Sequence, residues 1–239
     1  MTPLTAIALA LAAAAVAAHG GLLWYATVAQ QALSLGSTAS LTGWLLALLG
    51  IYYVLRSDFR GLGSVLLGIA GITALFTAGG QLPAEAGTAP LWQFVSHALM
   101  ATLAYSLLAA AALLAFAGSL KDRRLRHVGT AGWTVRLPSL DDIERHMFAC
   151  ILAGFALLSL AIFSGLIFVR DLMAQHLAHK TVLASLAWVI FGVLLLGRWQ
   201  FGWRGRKATT LALVGFALLL LAYFGSRFVL EMVLGRQWG

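Results

Sequence analysis

The chain has 239 residues, 61% of them hydrophobic and only 10% charged, with a net charge of +8 and a pI near 10.4. Soluble domains carry about a quarter charged residues, and here the charges cluster between long uncharged apolar runs, which excludes a water-soluble globular domain. The single cysteine, Cys150, excludes an internal disulfide and a cysteine-based metal site; it reads as a small apolar packing residue.

A run of about 18 or more apolar residues fits the hydrocarbon core of a bilayer, which is roughly 30 Å thick. In lipid every backbone amide must be satisfied within its own segment, so such runs are helical. The pattern predicts helices at about 3–24, 38–55, 62–80, 92–118, 147–169, 180–198 and 208–232. The expected fold is all-α: a polytopic bundle of about seven transmembrane helices forming one transmembrane domain over 1–239, with the lipid bilayer as its first partner. Residues 1–23 contain no Lys or Arg and are too long for a signal-peptide core, so the first run reads as a retained span. Residues 25–37 are uncharged and read either as a loop or as a partly re-entrant segment.

Orientation follows from the basic residues of the short loops. Arg56 and Arg60 form one cluster. Lys121, Arg123, Arg124, Arg126, Arg136 and Arg145 form a second, and Arg198, Arg204, Arg206 and Lys207 a third. With seven spans these 12 of the 16 basic residues share one face, leaving Arg170, Lys180, Arg227 and Arg236 on the other. The N-terminus is therefore expected inside and the C-terminus outside.

The longest inside loop, 119–145, ends in Leu137-Pro138-Ser139-Leu140-Asp141-Asp142. Ser139 suits a helix N-cap and Asp142 the third helical position, as in a capping box. Asp141, Asp142 and Glu144 also favour the positive end of the helix dipole. A short interfacial helix is expected to start near 140 and run into the fifth span. The loop from Arg198 to Lys207 interleaves Trp199, Phe201 and Trp203 with cations. Between two spans that pattern reads as headgroup-level aromatics and cations facing anionic lipid, and no nucleic-acid partner is expected.

Six histidines are the main candidates for chemistry. His127 and His146 lie among the inside basic residues and read as surface groups. His19, His97, His176 and His179 lie toward the outside. Ionisable groups in a membrane bundle are costly and so mark functional positions, and neutral imidazole is a good iron ligand. His176 and His179 have H-x-x-H spacing, but with no cysteine and only Asp171 nearby zinc is not expected. Arg227 stands four residues before Glu231, so it reads either as half of an intrahelical ion pair or as a receiver of an anion. Arg170, beside Asp171, reads either as a mark of the membrane edge or, like Lys180, as a receiver of an anion. No nucleophile–base pair emerges, and Gly61-Leu62-Gly63 and Gly202 with Gly205 lack the context of a phosphate loop. Gly68, Gly71, Gly79, Gly154, Gly165 and Gly215 read as close helix contacts. An enzyme is not expected.

Four ordered stretches carry a resemblance: Val95-Ser96-His97-Ala98 leading to Ala104-Tyr105; Glu144-Arg145-His146 with Gly154-Phe155 and Ser164-Gly165; Ser185-Leu186-Ala187-Trp188 with Gly202-Trp203-Arg204-Gly205; and Ala222-Tyr223-Phe224-Gly225-Ser226-Arg227. Their order and spacing over about 92–230 resemble the cytochrome c assembly family of membrane proteins, the CcsA/HemX group, and within it the small YpjD-like inner-membrane branch. The resemblance implies a bacterial cytoplasmic (inner) membrane location, a haem cofactor, and other cytochrome c biogenesis membrane proteins as partners. His97 matches the external haem-ligand histidine of that family. Its partner on the iron is expected to be His19, His176 or His179, with Arg170, Lys180 and Arg227 receiving the haem carboxylates.

The chain departs from the family pattern at two places. Val169 to His179 stands where the family has a Trp-rich haem-holding motif, and Leu234-Gly235-Arg236-Gln237-Trp238-Gly239 stands where a further external histidine belongs. Set against the eight-span members, the resemblance implies that the chain is expected to begin one helix later. Haem binding is thus implied more strongly than haem attachment. Two other readings stay open: a membrane interaction or regulatory protein without haem, acting for example on haem synthesis or another membrane complex, and, more weakly, a transporter, although neither midplane charges nor repeats are present.

Overall fold

The structure is a computed structural model that describes residues 3–30, 35–78, 91–127, 138–168 and 175–225. Among them there is no strand. Seven α-helices follow in order: α1 (Pro3–Gln30), α2 (Leu35–Leu55), α3 (Arg60–Ala78), α4 (Leu91–His127), α5 (Leu140–Phe168), α6 (Gln175–Phe201) and α7 (Gly205–Leu220). A 3-10 turn, Ser57–Phe59, joins α2 to α3, and a π-helical turn, Leu221–Gly225, continues α7. Within the described residues, each of the seven expected segments is helical. By length and composition, five carry segments able to cross a membrane: Ala6–Tyr25, Val95–Arg126, Leu140–Ile167, Lys180–Phe201 and Gly205–Tyr223. The apolar stretches Ala39–Leu55 and Arg60–Leu75 are shorter.

Two boundaries differ instructively from the sequence reading. Most of the expected loop 119–145 is helix. α4 continues nine residues past 118, supported on its exposed face by Asp122 and Arg126, one turn apart and 3.1 Å from each other. Polar spacing marks where the apolar run leaves the bilayer, and a helix need not stop there. α5 starts at Leu140 as expected: the Asp142 amide donates to the Ser139 hydroxyl at 3.1 Å and the Ile143 amide to the Ser139 carbonyl at 3.0 Å. The stretch 25–37 is helical up to Gln30 and again from Leu35.

The chain divides into two compact units, Met1–Thr88 and Ala89–Gly239. In the first, α1 packs on α2 and α2 on α3. Gly63 lets α3 approach α2 so closely that a Cβ there would lie 2.6 Å from the Gly50 carbonyl oxygen. Tyr53, 2% exposed, stacks on Phe59 of the connecting turn at 5.3 Å between ring centres.

In the second unit α4 touches α5 and α7, and α6 touches α5 and α7. The contacting pairs run in opposite directions along the chain: His97 with Ser164 and Leu108 with Gly154 between α4 and α5, Ser159 with Trp188 between α5 and α6, Phe191 with Gly215 between α6 and α7. The unit is therefore an antiparallel four-helix bundle closed into a ring. The starts of α4 and α6 and the ends of α5 and α7 form one end of it; the opposite four termini form the other. Its centre is filled by Ala104, Leu108, Leu114, Ile151, Phe191, Leu194 and Leu219, all under 5% exposed. Leu152, Leu160, Phe163 and Ile167 of α5 are more than half exposed, which in lipid is the favourable face. Buried hydroxyls are satisfied by their own helix: Thr102 donates to the Ala98 carbonyl and Ser106 to the Thr102 carbonyl, each at 2.7 Å. Cys150 is a buried free thiol, as a packing residue.

The glycine contacts divide. Gly154, Gly165 and Gly215 stand close to side chains of a neighbouring helix, whereas Gly68 and Gly71 face open space and are not close contacts. Small residues can also sit on a lipid-facing helix surface, which composition alone does not distinguish. Gly79 lies outside the described residues.

Candidate functional site

One end of the four-helix unit brings together two of the side chains that the sequence singled out, His97 and Lys180. His97 lies in the second turn of α4 and is half-buried. Its Nδ1 is 2.9 Å from the Ser164 hydroxyl near the end of α5. That hydroxyl is also 2.9 Å from the Ala161 carbonyl, and when it donates its one proton there it accepts towards His97. With the hydroxyl donating there, the ring carries its proton on Nδ1 and Nε2 holds the lone pair; the Ala161 carbonyl also lies within hydrogen-bond reach of the ring. Gly165 leaves room for the ring: a Cβ there would stand 3.4 Å from His97 Cε1.

Three further groups complete this end. Lys180, in the second turn of α6, is close enough to His97 to act on it electrostatically. Its ammonium sits 4.7 Å above the centre of the Tyr223 ring in the π-helical turn after α7. Tyr223 meets Tyr105 of α4 edge to face, with ring centres 5.7 Å apart and planes at 63°. The Tyr105 hydroxyl donates to the Leu219 carbonyl. A π-turn widens the helix and shifts its hydrogen bonding by one residue, and such turns recur at functional sites. Here the widened turn presents Tyr223 to both Tyr105 and Lys180. In chemical terms this end offers one imidazole nitrogen with a bare lone pair and one cation beside it, on a rigid scaffold of four helices.

The other expected residues fall as follows. His176 and His179 occupy the first turns of α6, whose start is at this same end; their side chains lie outside the described set. Arg170, Arg227 and Glu231 lie outside the described residues. His19 belongs to the other unit, where its Nε2 is 2.7 Å from the fully buried Ser40 hydroxyl of α2. Beside it, the Trp44 indole donates to the Val16 carbonyl at 2.7 Å, and Gly20 is the position that admits the Trp44 ring. His19 thus sits in a helix–helix contact that holds α1 to α2.

At the far end of the four-helix unit the structure shows a hub that the sequence reading missed. Glu144 takes an ion pair from Arg198 at 2.7 Å, a longer one from Arg204 at 3.7 Å, and the Gly205 amide at 3.4 Å. Arg198 also lies 4.7 Å above the Phe148 ring and reaches the Trp203 carbonyl at 3.3 Å. Trp203 folds back so that its amide donates to the Gly197 carbonyl, and its indole covers Gly197 so closely that a Cβ there would lie 2.3 Å from it. Of the loop aromatics, Trp199 and Phe201 are exposed as headgroup residues should be, and Trp203 is not. The missed signal was the pairing of one acid at the start of α5 with Arg198 at the end of α6 and Arg204 just after it, more than fifty residues on, which no local spacing reveals.

Comparison with known proteins fits this description. Residues 9–234 match the family model described as "Cytochrome C assembly protein". An inner membrane protein, YpjD, of Escherichia coli K12 is 35% identical over 137 residues, covering 57% of this chain and 52% of its own. An uncharacterized 28.8 kDa protein of Azospirillum brasilense is 32% identical over 168 residues, covering 69% and 62%. The cytochrome c biogenesis protein CcsA of Parasynechococcus marenigrum is 26% identical over 148 residues, covering 55% and 48%. The chain spans about half the length of the curated relatives it matches. No solved structure matches it. Seven apolar helices in this order, and a match that runs through both units, make the chain a membrane protein of the cytochrome c assembly family.

Proposed function

We propose that this protein is a haem-handling, non-catalytic membrane protein of cytochrome c biogenesis, with His97 as an axial ligand to haem iron. The observation that carries the reading is the Ser164 hydroxyl, 2.9 Å from both His97 Nδ1 and the Ala161 carbonyl, placed to give its proton to the carbonyl and take the one on Nδ1. An outer-shell partner of this kind fixes the tautomer and points Nε2 at a metal. Lys180 supplies a cation at the same end for a haem carboxylate, a charge-assisted contact. Haem, when held, supplies an iron that accepts an imidazole nitrogen and two carboxylates that accept cations. His176 and His179 remain the proposed second ligands, and Arg170 and Arg227 the proposed further cations.

The names of the relatives support the setting: a cytoplasmic (inner) membrane and other biogenesis proteins as partners. The proposed topology has seven spans, with the N-terminus and the three basic loop clusters inside and the His97 end and C-terminus outside.

The test is to purify the wild type and His97→Ala after expression with ample haem and to compare Soret absorbance per protein. The wild type should carry haem and the variant should lose most of it. A wild type without haem favours the alternative, a membrane interaction or regulatory protein; a variant that keeps an unchanged spectrum removes His97 from the site.

A further inference from the structure

The end of the four-helix unit opposite His97 holds a cavity of about 270 Å³ between α4, α5 and α7. Its floor is apolar: Leu140 and Leu213 line it and are half-buried, beside Leu114, Ile143 and Met147, which packing closes off. Its rim is basic, with Arg123 and Arg126 from α4 and Arg206 from α7. The two acids of the lining are already engaged. Asp122 is held by Arg126 at 3.1 Å, and Glu144 by Arg198 and Arg204. Among the described residues, Arg123 and Arg206 have no acid within ion-pair distance. Both are exposed and stand on different helices.

A floor and rim of this kind select one class of ligand. An apolar solute would leave the guanidiniums unserved, and a small hydrophilic anion would leave the floor wet. The occupant must be an amphiphile whose anionic head meets the arginines while a chain covers the floor. The rim lies where the apolar segment of α4 ends at Arg126 and those of α5 and α7 begin at Leu140 and Gly205, which is the level of lipid headgroups. Basic pockets between spans at that level take the heads of anionic lipids. Guanidinium groups bind phosphate oxygens with directional, charge-assisted hydrogen bonds.

We infer that this cavity is a binding site for one anionic glycerophospholipid, its phosphodiester between Arg123 and Arg206 and the start of an acyl chain on Leu140 and Leu213. The site is independent of haem and of His97.

The probe is phosphatidylglycerol, compared with phosphatidylcholine of the same acyl chains and with sn-glycerol 3-phosphate. Each is titrated onto the full-length protein in non-ionic detergent, and bound lipid is counted by native mass spectrometry. Phosphatidylglycerol should saturate at one molecule and bind at least about fivefold tighter than phosphatidylcholine, since each arginine at a membrane surface contributes about a fivefold preference for anionic lipid. The Arg123→Gln/Arg206→Gln double variant should abolish that preference, while Arg60→Gln, in the other unit, should keep it. Thr210→Trp, which fills the mouth and leaves the charge unchanged, should also block binding. Equal binding of the two lipids, an unaffected double variant, or a loss reproduced by Arg60→Gln would overturn the site. Glycerol phosphate binding as tightly as the lipid would overturn the lipid as its occupant.

Discussion

Arg198, near the end of α6, and Glu144, near the start of α5, form a 2.7 Å ion pair whose side chains are only 28% and 18% exposed. Fifty-four residues separate them in sequence, so the pair ties together two helices that only the folded bundle brings side by side. A half-buried pair falls between the exposed and buried limits, so breaking it should cost about 1–3 kcal/mol. Arg198→Met and Glu144→Gln should each lower the unfolding midpoint in detergent. The double variant should be less destabilised than the sum of the two, because they share one interaction. Strict additivity would show that the pair contributes nothing of its own.

The Trp203 fold-back gives a second stability prediction with a built-in contrast. Gly197→Val inserts a side chain where the indole now lies and should cost about 1–3 kcal/mol, with a red shift of tryptophan emission as Trp203 leaves its seat. Gly202→Ala meets no atom within 4 Å but sits at φ +63°, so its cost of about 1 kcal/mol should come from the backbone alone and leave the emission unchanged. Similar spectra for the two variants would contradict the packing account.

The helix start at Leu140 should behave as a capped terminus. Ser139→Ala removes the acceptor of the Asp142 amide and should destabilise by about 1 kcal/mol, while Ser139→Asp should restore most of it. The comparison is by thermal unfolding of purified protein.

Ser164 separates a positioning role from a packing one. Loss of an outer-shell hydrogen bond typically weakens a metal site by about 10–100-fold. Ser164→Ala should therefore speed haem loss by that order while thermal stability changes little, and Ser164→Thr should rescue it. Unchanged haem retention would leave the tautomer argument without support.

The proposed topology is open to a direct check. A reporter active only outside the cytoplasm, fused at Gly239, should be active, and the same reporter inserted between 128 and 137 should be silent. The reverse pattern would invert the orientation.

What the sequence made legible followed from repetition. Each span is a run long enough to average over its exceptions, so all seven helices were found. Ser139 was recognised as a cap because its partner is three residues away. What stayed hidden depends on distant partners. Nothing local joins His97 to Ser164, Glu144 to Arg198, or Arg123 to Arg206; the antiparallel bundle makes those pairs. Likewise the extension of α4 through Asp122 and Arg126 was missed because hydropathy reports where a helix leaves lipid, not where it ends. Gly68 and Gly71 were misjudged for a related reason: glycine records permission for a contact, and only the neighbouring helix uses it.

α4 runs unbroken from Leu91 to His127, so it fixes a phase between its two ends. From His97 to Arg123 the helix advances about 39 Å and turns through a net angle of about 80°. One inserted residue near Ala111 would swing Arg123 by about 100° relative to His97, whereas seven would return it to within about 20°. Length variation within this family should therefore enter α4 in near-heptad steps or not at all, and the helix acts as a key shaft whose two bits are cut at a set angle.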